Sequence, residues 1–412
     1  VADTARADVQ GAVEPLPDRA LRRVTLVLCV SQITTWGVLF YAFPVLATRI
    51  AEEEGWSLTT MMAGFTAAQV TAALLGLRVG RHLDRRGPRA AMAVGSAVGV
   101  AAILGFAAAP TLWWFLAAWA LAGTAMSATL YPPAFAAVTH WGGDRRLGAL
   151  TAITLVGGLA STVYAPLAAV LEQAGDWRTA YLVLAVPLAL TVPLHWYGLG
   201  HPWTRTTAEP AATDDPPASD RDPLLRTPTF LLLVLAMTMA GLAIYAGVVN
   251  LVPLLAEDGL SIQVGAVALG IGGVGQVAGR LAYAPTLGRL GPDTRLVTVL
   301  AVTGALTLAL AAVPRPLPLL FAIAFLAGTA RGAFTLIQAS AVSDRWGTSG
   351  YGARSGVLSG GVGLAAAGAP WLGAVAATTL GGYDAAFVVL AVSAFVAVGV
   401  VAGSPARTSL RR

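Results

Sequence analysis

The chain has 412 residues, of which 56% are hydrophobic and only 11% charged, and its mean hydropathy is +0.71. A soluble domain carries charge on about a quarter of its residues, so this composition excludes a water-exposed globule and points to a bilayer. The net charge of +5 comes from arginines that sit mostly at the ends of apolar runs rather than along one stripe, which does not suit a nucleic-acid surface.

Residues 1–20 are polar and mixed in charge (Asp3, Asp8, Glu14, Asp18), and read as an N-terminal tail without a cleavable signal core. Apolar runs long enough to cross a membrane then follow. The first six are expected at 24–50, 57–79, 90–109, 111–139, 147–171 and 178–199. After the polar stretch His201–Pro228 come six more, at 230–256, 262–287, 296–313, 318–342, 355–380 and 385–403. The expected organisation is a tail (1–20), a six-helix bundle (21–200), a linker (201–228), a second bundle (229–404) and a basic tail (405–412).

Arginine placement orients the chain. Arg19, Arg22, Arg23, the cluster Arg78 to Arg89, Arg145, Arg146, Arg289, Arg295, Arg345 and Arg354 fall on the side of both termini. Only Arg49, Arg178 and Arg315 fall on the other, among acids such as Glu52, Glu53, Glu54, Glu172 and Asp384. Both termini are therefore expected to be cytoplasmic. The single cysteine, Cys29, lies in an apolar run, which leaves no internal disulfide and no CxxC-type metal site.

Four short matches recur at nearly constant offset: Gly87-Pro88 with Gly291-Pro292, Leu121–Ala125 with Leu326–Ala330, Trp141-Gly142 with Trp346-Gly347, and Ala165-Pro166 with Ala369-Pro370. They imply two parallel six-helix repeats related by an axis along the membrane normal.

The loop after the second run reads Gly80-Arg-His-Leu-Asp84-Arg85-Arg86-Gly87-Pro88-Arg89. It resembles the signature loop of the major facilitator superfamily, with its glycine, aspartate, basic pair and second glycine. The equivalent loop of the second half keeps Gly291 but has Gly288 in place of the aspartate. The resemblance implies an all-α membrane protein of twelve transmembrane helices in two six-helix repeats, working as a carrier by alternating access. For Gly80, Asp84, Arg85, Arg86, Gly87 and Arg89 it implies a gating loop, with Asp84 as a latch between the halves. The other reading of these arginines is simple topology.

A finer similarity is to the monocarboxylate-transporter branch. It rests on Glu54-Gly-Trp-Ser57, on Asp84–Arg89, on Trp141 with Arg145-Arg146, and on Asp176-Trp-Arg178. It implies a small organic anion as substrate. That branch's embedded aspartate in the eighth helix is Gln276 here, which puts proton coupling through that position in doubt.

Two arginines fall within spans, where a charge is costly and usually functional. Arg331 is followed by Thr335 and Gln338 at i+4 and i+7, one helical face. Arg280 lies between Gln276 and Tyr283 on the same spacing. A guanidinium fork matches a carboxylate, although Arg280 could instead snorkel or cap a helix end. The repeat partner of Arg331 is Met126, so the arginine is not shared architecture. In the resembled family helices one, four, seven and ten line the cavity. That adds Gln32, Trp36 and Phe43 on one face of the first helix, Ser127 and Tyr131 on the fourth, and Tyr245 and Asn250 on the seventh.

No Asp or Glu lies in mid-span, and His195 and His140 are the remaining titratable candidates. No nucleophile–base set, metal cluster or nucleotide-binding domain is legible. The glycine run 265–275 lies inside an apolar span rather than a βαβ unit, and its small residues permit close helix approach. Kinks are expected at Pro44, Pro132, Pro133 and Pro370. The expected protein is a multi-pass transporter of the cell membrane, monomeric, without cofactor or metal, whose partners are lipid and a small, anionic solute. A drug or metabolite exporter of the same fold and a non-transporting membrane receptor are the competing readings.

Overall fold

A bilayer interior offers backbone groups no hydrogen-bond partner, so a crossing chain must satisfy them within itself. The computed structural model, which describes residues 15–203, 223–283, 285–312, 316–346 and 351–403, does so with helices alone; no strand occurs among the described residues. Among the described residues twelve helices are long and apolar enough to cross a membrane. Spans 1 to 6 are Asp18–Glu54, Leu58–Leu83, Pro88–Ala107, Leu112–Trp141, Gly148–Ala174 and Trp177–Gly198. Spans 7 to 12 are Pro228–Val249, Ile262–Arg289, Pro292–Ala311, Leu317–Ser340, Val357–Leu380 and Tyr383–Ala402. Large apolar side chains such as Leu74, Leu190 and Leu364 are exposed on the outside of the bundle, where lipid can cover them.

Helix ends follow local chemistry. Ser57, Thr111, Asp176 and Thr227 cap spans 2, 4, 6 and 7 by accepting from a backbone N–H three residues on. Pro88, Pro228 and Pro292 open their helices, where a missing N–H costs nothing. The helix of span 2 runs on to Arg86, beyond the end expected at 79. Arginine and leucine favour helix even where hydropathy falls, and the first residue to break it is Gly87, at φ +76°.

Three spans are interrupted near mid-membrane. Span 1 widens into a π-turn at Gly37–Tyr41, just ahead of Pro44. Span 4 breaks at Leu130, ahead of Pro132 and Pro133; span 7 ends at Asn250, short of the 256 expected, and a short helix, Leu251–Glu257, follows with Pro253 in its first turn. In each case the proline withdraws an N–H from the preceding turn. Span 5 breaks at Leu159 after Gly157 and Gly158. Pro370, by contrast, sits inside one continuous helix, Tyr351–Leu380.

Spans 1–6 pack on one another, as do spans 7–12, and the two halves meet where span 5 crosses span 8 and span 2 crosses span 11. We name the two membrane faces after the turns at Gly55 and Gly87. The cross-half bonds Thr162 Oγ1 to Gly270 O (2.8 Å) and Trp371 N to Thr66 Oγ1 (3.3 Å) lie on the Gly55 side. So does the packing of Leu251–Glu257 on Ala42–Glu54. An aromatic cluster of Phe43, Phe65, Phe106, Phe115 and Trp119 fills the first half near the same face. Phe43 belongs to it, 1% exposed, because the π-turn adds a residue to the helix before it and turns it off the face shared by Gln32 and Trp36.

Spans 8 and 10 approach each other backbone to backbone. A Cβ on Gly328 would collide with the carbonyl of Gly272, and one on Gly332 with that of Gln276. Small residues are what allow this contact. Gly328→Ala is therefore expected to destabilise the protein by at least about 1–3 kcal/mol, seen as a lower melting temperature in detergent. Gly360→Ala, where a Cβ meets only open space, should leave that temperature unchanged or raise it.

Candidate substrate site

Arg331 lies in span 10, on the turn after Gly328, and is 6% exposed. Its Nη2 donates to Gly272 O at 3.3 Å, a long bond, and its Nε is buried without a partner. Arg280 in span 8 is half-buried, and its Nη1 donates to Thr154 O of span 5 at 2.6 Å, across the two halves. Ion pairs lie at the membrane faces: Arg49 with Glu52, Glu53 and Glu172, Arg178 with Glu54, Arg145 with Asp18, Arg295 with Asp344, and Arg345 with Asp293. None of them reaches Arg280 or Arg331.

Three tyrosines gather around these cations. The Tyr131 hydroxyl lies near Arg280, Tyr41 and Tyr245, and the Tyr245 hydroxyl near Tyr41, Arg331 and Arg280. The break at Gly157 and Gly158 makes the space: a Cβ on Gly157 would stand 2.6 Å from the Tyr131 hydroxyl, and one on Gly158 3.3 Å from Arg280 Nη1. Trp36 lies against the Tyr131 ring at 5.1 Å, with its Nε1 buried and unpartnered. Spans 1, 4, 7, 8 and 10 thus bring Trp36, Tyr131, Tyr245, Arg280 and Arg331 together. Tyr41 was not legible as part of this group, since only the π-turn, which no local motif announces, sets its direction.

The remaining candidates are placed differently. Gln276 is half-buried, and its side-chain oxygen has no partner. Thr335 Oγ1 donates back to Arg331 O at 3.0 Å, within its own helix. Gln338 is half-buried a turn further on. Gln32 is fully buried, and its Nε2 donates to Thr129 O at 2.7 Å. That carbonyl is the one from which Pro133 withdraws an N–H, so the glutamine completes the broken helix of span 4. Ser127 donates to Thr124 O, and Asn250 to Ala246 O.

His195 is buried between spans 3 and 6, with Nδ1 3.0 Å from Ser96 Oγ, and His140 stacks on Trp203 at 3.8 Å. Neither belongs to the arginine–tyrosine group.

At the signature loop, Gly80 faces open space, and Arg85 and Arg86 are exposed. Gly87 is covered by the Trp203 ring, 2.9 Å from where its Cβ would stand. Arg89 Nε donates to Trp196 O at 2.7 Å and its guanidinium lies over the Trp196 ring, which ties span 3 to the last turn of span 6. The side chain of Asp84 lies outside the described residues.

The family profile of the Major Facilitator Superfamily matches residues 28–317. The chain belongs to this superfamily. It is accordingly a multi-pass membrane transporter and not an enzyme. No curated protein sequence matches it. Among solved structures it is similar to a bacterial homologue of the human lysosomal transporter Spinster in an inward-facing, occupied conformation. That match has 15% identity and a TM-score of 0.68, and covers 95% of this chain and 97% of the other. A point mutant of the nucleoside transporter NupG is similar at 11% identity and a TM-score of 0.73, over 94% of this chain and 100% of the other. At such identities these likenesses show the fold alone.

Within this transporter, Gln32→Leu should strand the Thr129 carbonyl in a buried setting and lower stability by about 1–3 kcal/mol. Detergent melting or chemical unfolding of the purified variant measures this. An unchanged stability with reduced solute flux would instead mark Gln32 as a substrate contact.

Proposed function

We propose that this transporter carries a small organic anion such as a monocarboxylate, as a secondary active or facilitative carrier working by alternating access. Arg331 supports this reading most directly: a guanidinium 6% exposed, held by one 3.3 Å bond to a carbonyl, with a bare Nε. Charge so poorly partnered in a low-dielectric interior is costly, and an anionic substrate supplies the missing acceptors. Arg280, Tyr131, Tyr245 and Trp36 complete the surroundings, with Gln276, Thr335, Gln338 and Gln32 as outlying contacts. The similarity of Glu54–Ser57 and Asp84–Arg89 to the monocarboxylate branch agrees with it.

Proton coupling does not need a protein carboxylate here. The anion can carry its own proton, exchange for another anion, or equilibrate. An empty carrier with an uncompensated cation would resist reorienting, which favours loaded movement.

The arginine distribution supports cytoplasmic termini in the cell membrane, with residues 21–200 and 229–404 as the moving halves of a monomer. The Gly55 face is then external; the halves are bonded there at Thr162–Gly270 and Thr66–Trp371, and nearer the other face by Arg280–Thr154. Asp84, Arg85 and Arg86 would latch the opposite face when the halves rock, with Gly80 and Gly87 shaping the loop and Arg89 anchoring it. In proteoliposomes, uptake of labelled carboxylate should fall at least about tenfold in Arg331→Gln and partly recover in Arg331→Lys. Uptake unchanged in Arg331→Gln would discard the anion in favour of a neutral or apolar cargo.

A further inference from the structure

The first half carries a groove of about 440 Å³ between the Gly87-side ends of spans 1 and 5. Leu26, Ala149 and Ala152 line it towards mid-membrane, and Asp18, Arg22 and Arg145 line it at the face. The side of span 5 that meets Arg280 of span 8, at Thr154 and Gly158, is turned away from the groove. The groove therefore opens on lipid and not on the cleft between the halves. Leu26 and Val30, 66% and 52% exposed, follow Arg22 at i+4 spacing on one face of span 1. Arg145 pairs with Asp18 and donates from Nη2 to Leu16 O at 2.6 Å. Arg22 is exposed and has no partner among the described residues. In the stretches 18–26 and 144–152 five arginines stand against two aspartates, so this end of the groove attracts anions.

We propose that this groove binds an anionic phospholipid of the leaflet on the Gly87 side, its phosphate between Arg22 and Arg145 and one acyl chain along Leu26 and Val30. A guanidinium can bind two phosphate oxygens at once, and basic pockets between helices at a membrane face suit anionic headgroups. One ordered water needs about 10–15 Å³ on the same scale, so the space takes a phosphodiester with its glycerol. A free anion would use the arginines alone; the exposed apolar strip that continues from them matches an acyl chain. Asp18 decides which headgroup fits. Its carboxylate occupies part of Arg145 in an exposed pair of small worth, and it repels a phosphate. An anionic headgroup binds against that repulsion, whereas the ammonium of a zwitterionic one would gain from it. No residue of the arginine–tyrosine group lines the groove, so the site is independent of the solute carried.

The test is lipid retention by native mass spectrometry, with thermal shift, on the purified full-length protein in detergent. The probes are phosphatidylglycerol, phosphatidylcholine and phosphatidylethanolamine of the same chains, and glycerol phosphate. Wild type should hold phosphatidylglycerol about tenfold more tightly than either zwitterionic lipid and be stabilised by it. Arg22→Gln should weaken phosphatidylglycerol about tenfold, and Asp18→Asn should tighten it. Equal retention of phosphatidylcholine, or phosphatidylglycerol binding unchanged in Arg22→Gln, would overturn the site. Weaker phosphatidylglycerol binding in Asp18→Asn would overturn the anionic occupant. Glycerol phosphate bound as tightly as the lipid would overturn the acyl chain's part. Should Arg22→Gln fail to fold, the direction of the change in Asp18→Asn still decides.

Discussion

Hydrocarbon cannot hydrogen-bond, and the structure is organised by what that withholds. Wherever proline removes an N–H from a span, the chain has to find another donor or bend the helix. Gln32 donates its amide to Thr129 O beneath Pro133. This repair is long-range, so it also fixes how spans 1 and 4 sit. The interruptions fall in spans 1, 4 and 5. Two of the residues gathered at the site, Trp36 and Tyr131, come from these interrupted spans. A requirement of the solvent thus shapes the site.

The two arginines answer the same constraint unequally. Arg280 is held by a short bond across the halves, which gives it a structural task as well as a place beside Tyr131. Arg331 has a long bond to Gly272 O and an idle Nε. The Gly272–Gly328 crossing sets how near Arg331 comes to span 8, so the small residues that let the helices meet also place the charge. An anion entering here would meet a cation whose desolvation cost has already been met by folding, which is preorganisation in the ordinary sense.

The spans, the repeat and the signature loop were legible because length, hydropathy and spacing carry them. Most observed span ends fall within a few residues of those expected; span 2 ran longer because helix propensity outlasts hydropathy until Gly87. Arg280 and Arg331 were legible as charges out of place. Their partners were not, since the carbonyls of Thr154 and Gly272 have no signature in sequence. The π-turn hid the departure of Phe43 from its expected face and the arrival of Tyr41. Gln32 looked like a ligand because a buried amide reads the same whether it meets a solute or a broken helix. Pro370 was expected to bend its helix, and that helix runs unbroken through it from Tyr351 to Leu380.

Everything proposed for the site turns on a carboxylate seated on the Arg331 guanidinium. Solid-state NMR measures this directly, by dephasing of carbon-13 carboxylate-labelled butyrate against nitrogen-15 arginine in the membrane-embedded protein. The expected result is a carbon–nitrogen distance of about 4 Å, as in a paired carboxylate, and its loss in Arg331→Gln. A bound ligand showing no dephasing, or dephasing that persists in Arg331→Gln, would contradict it.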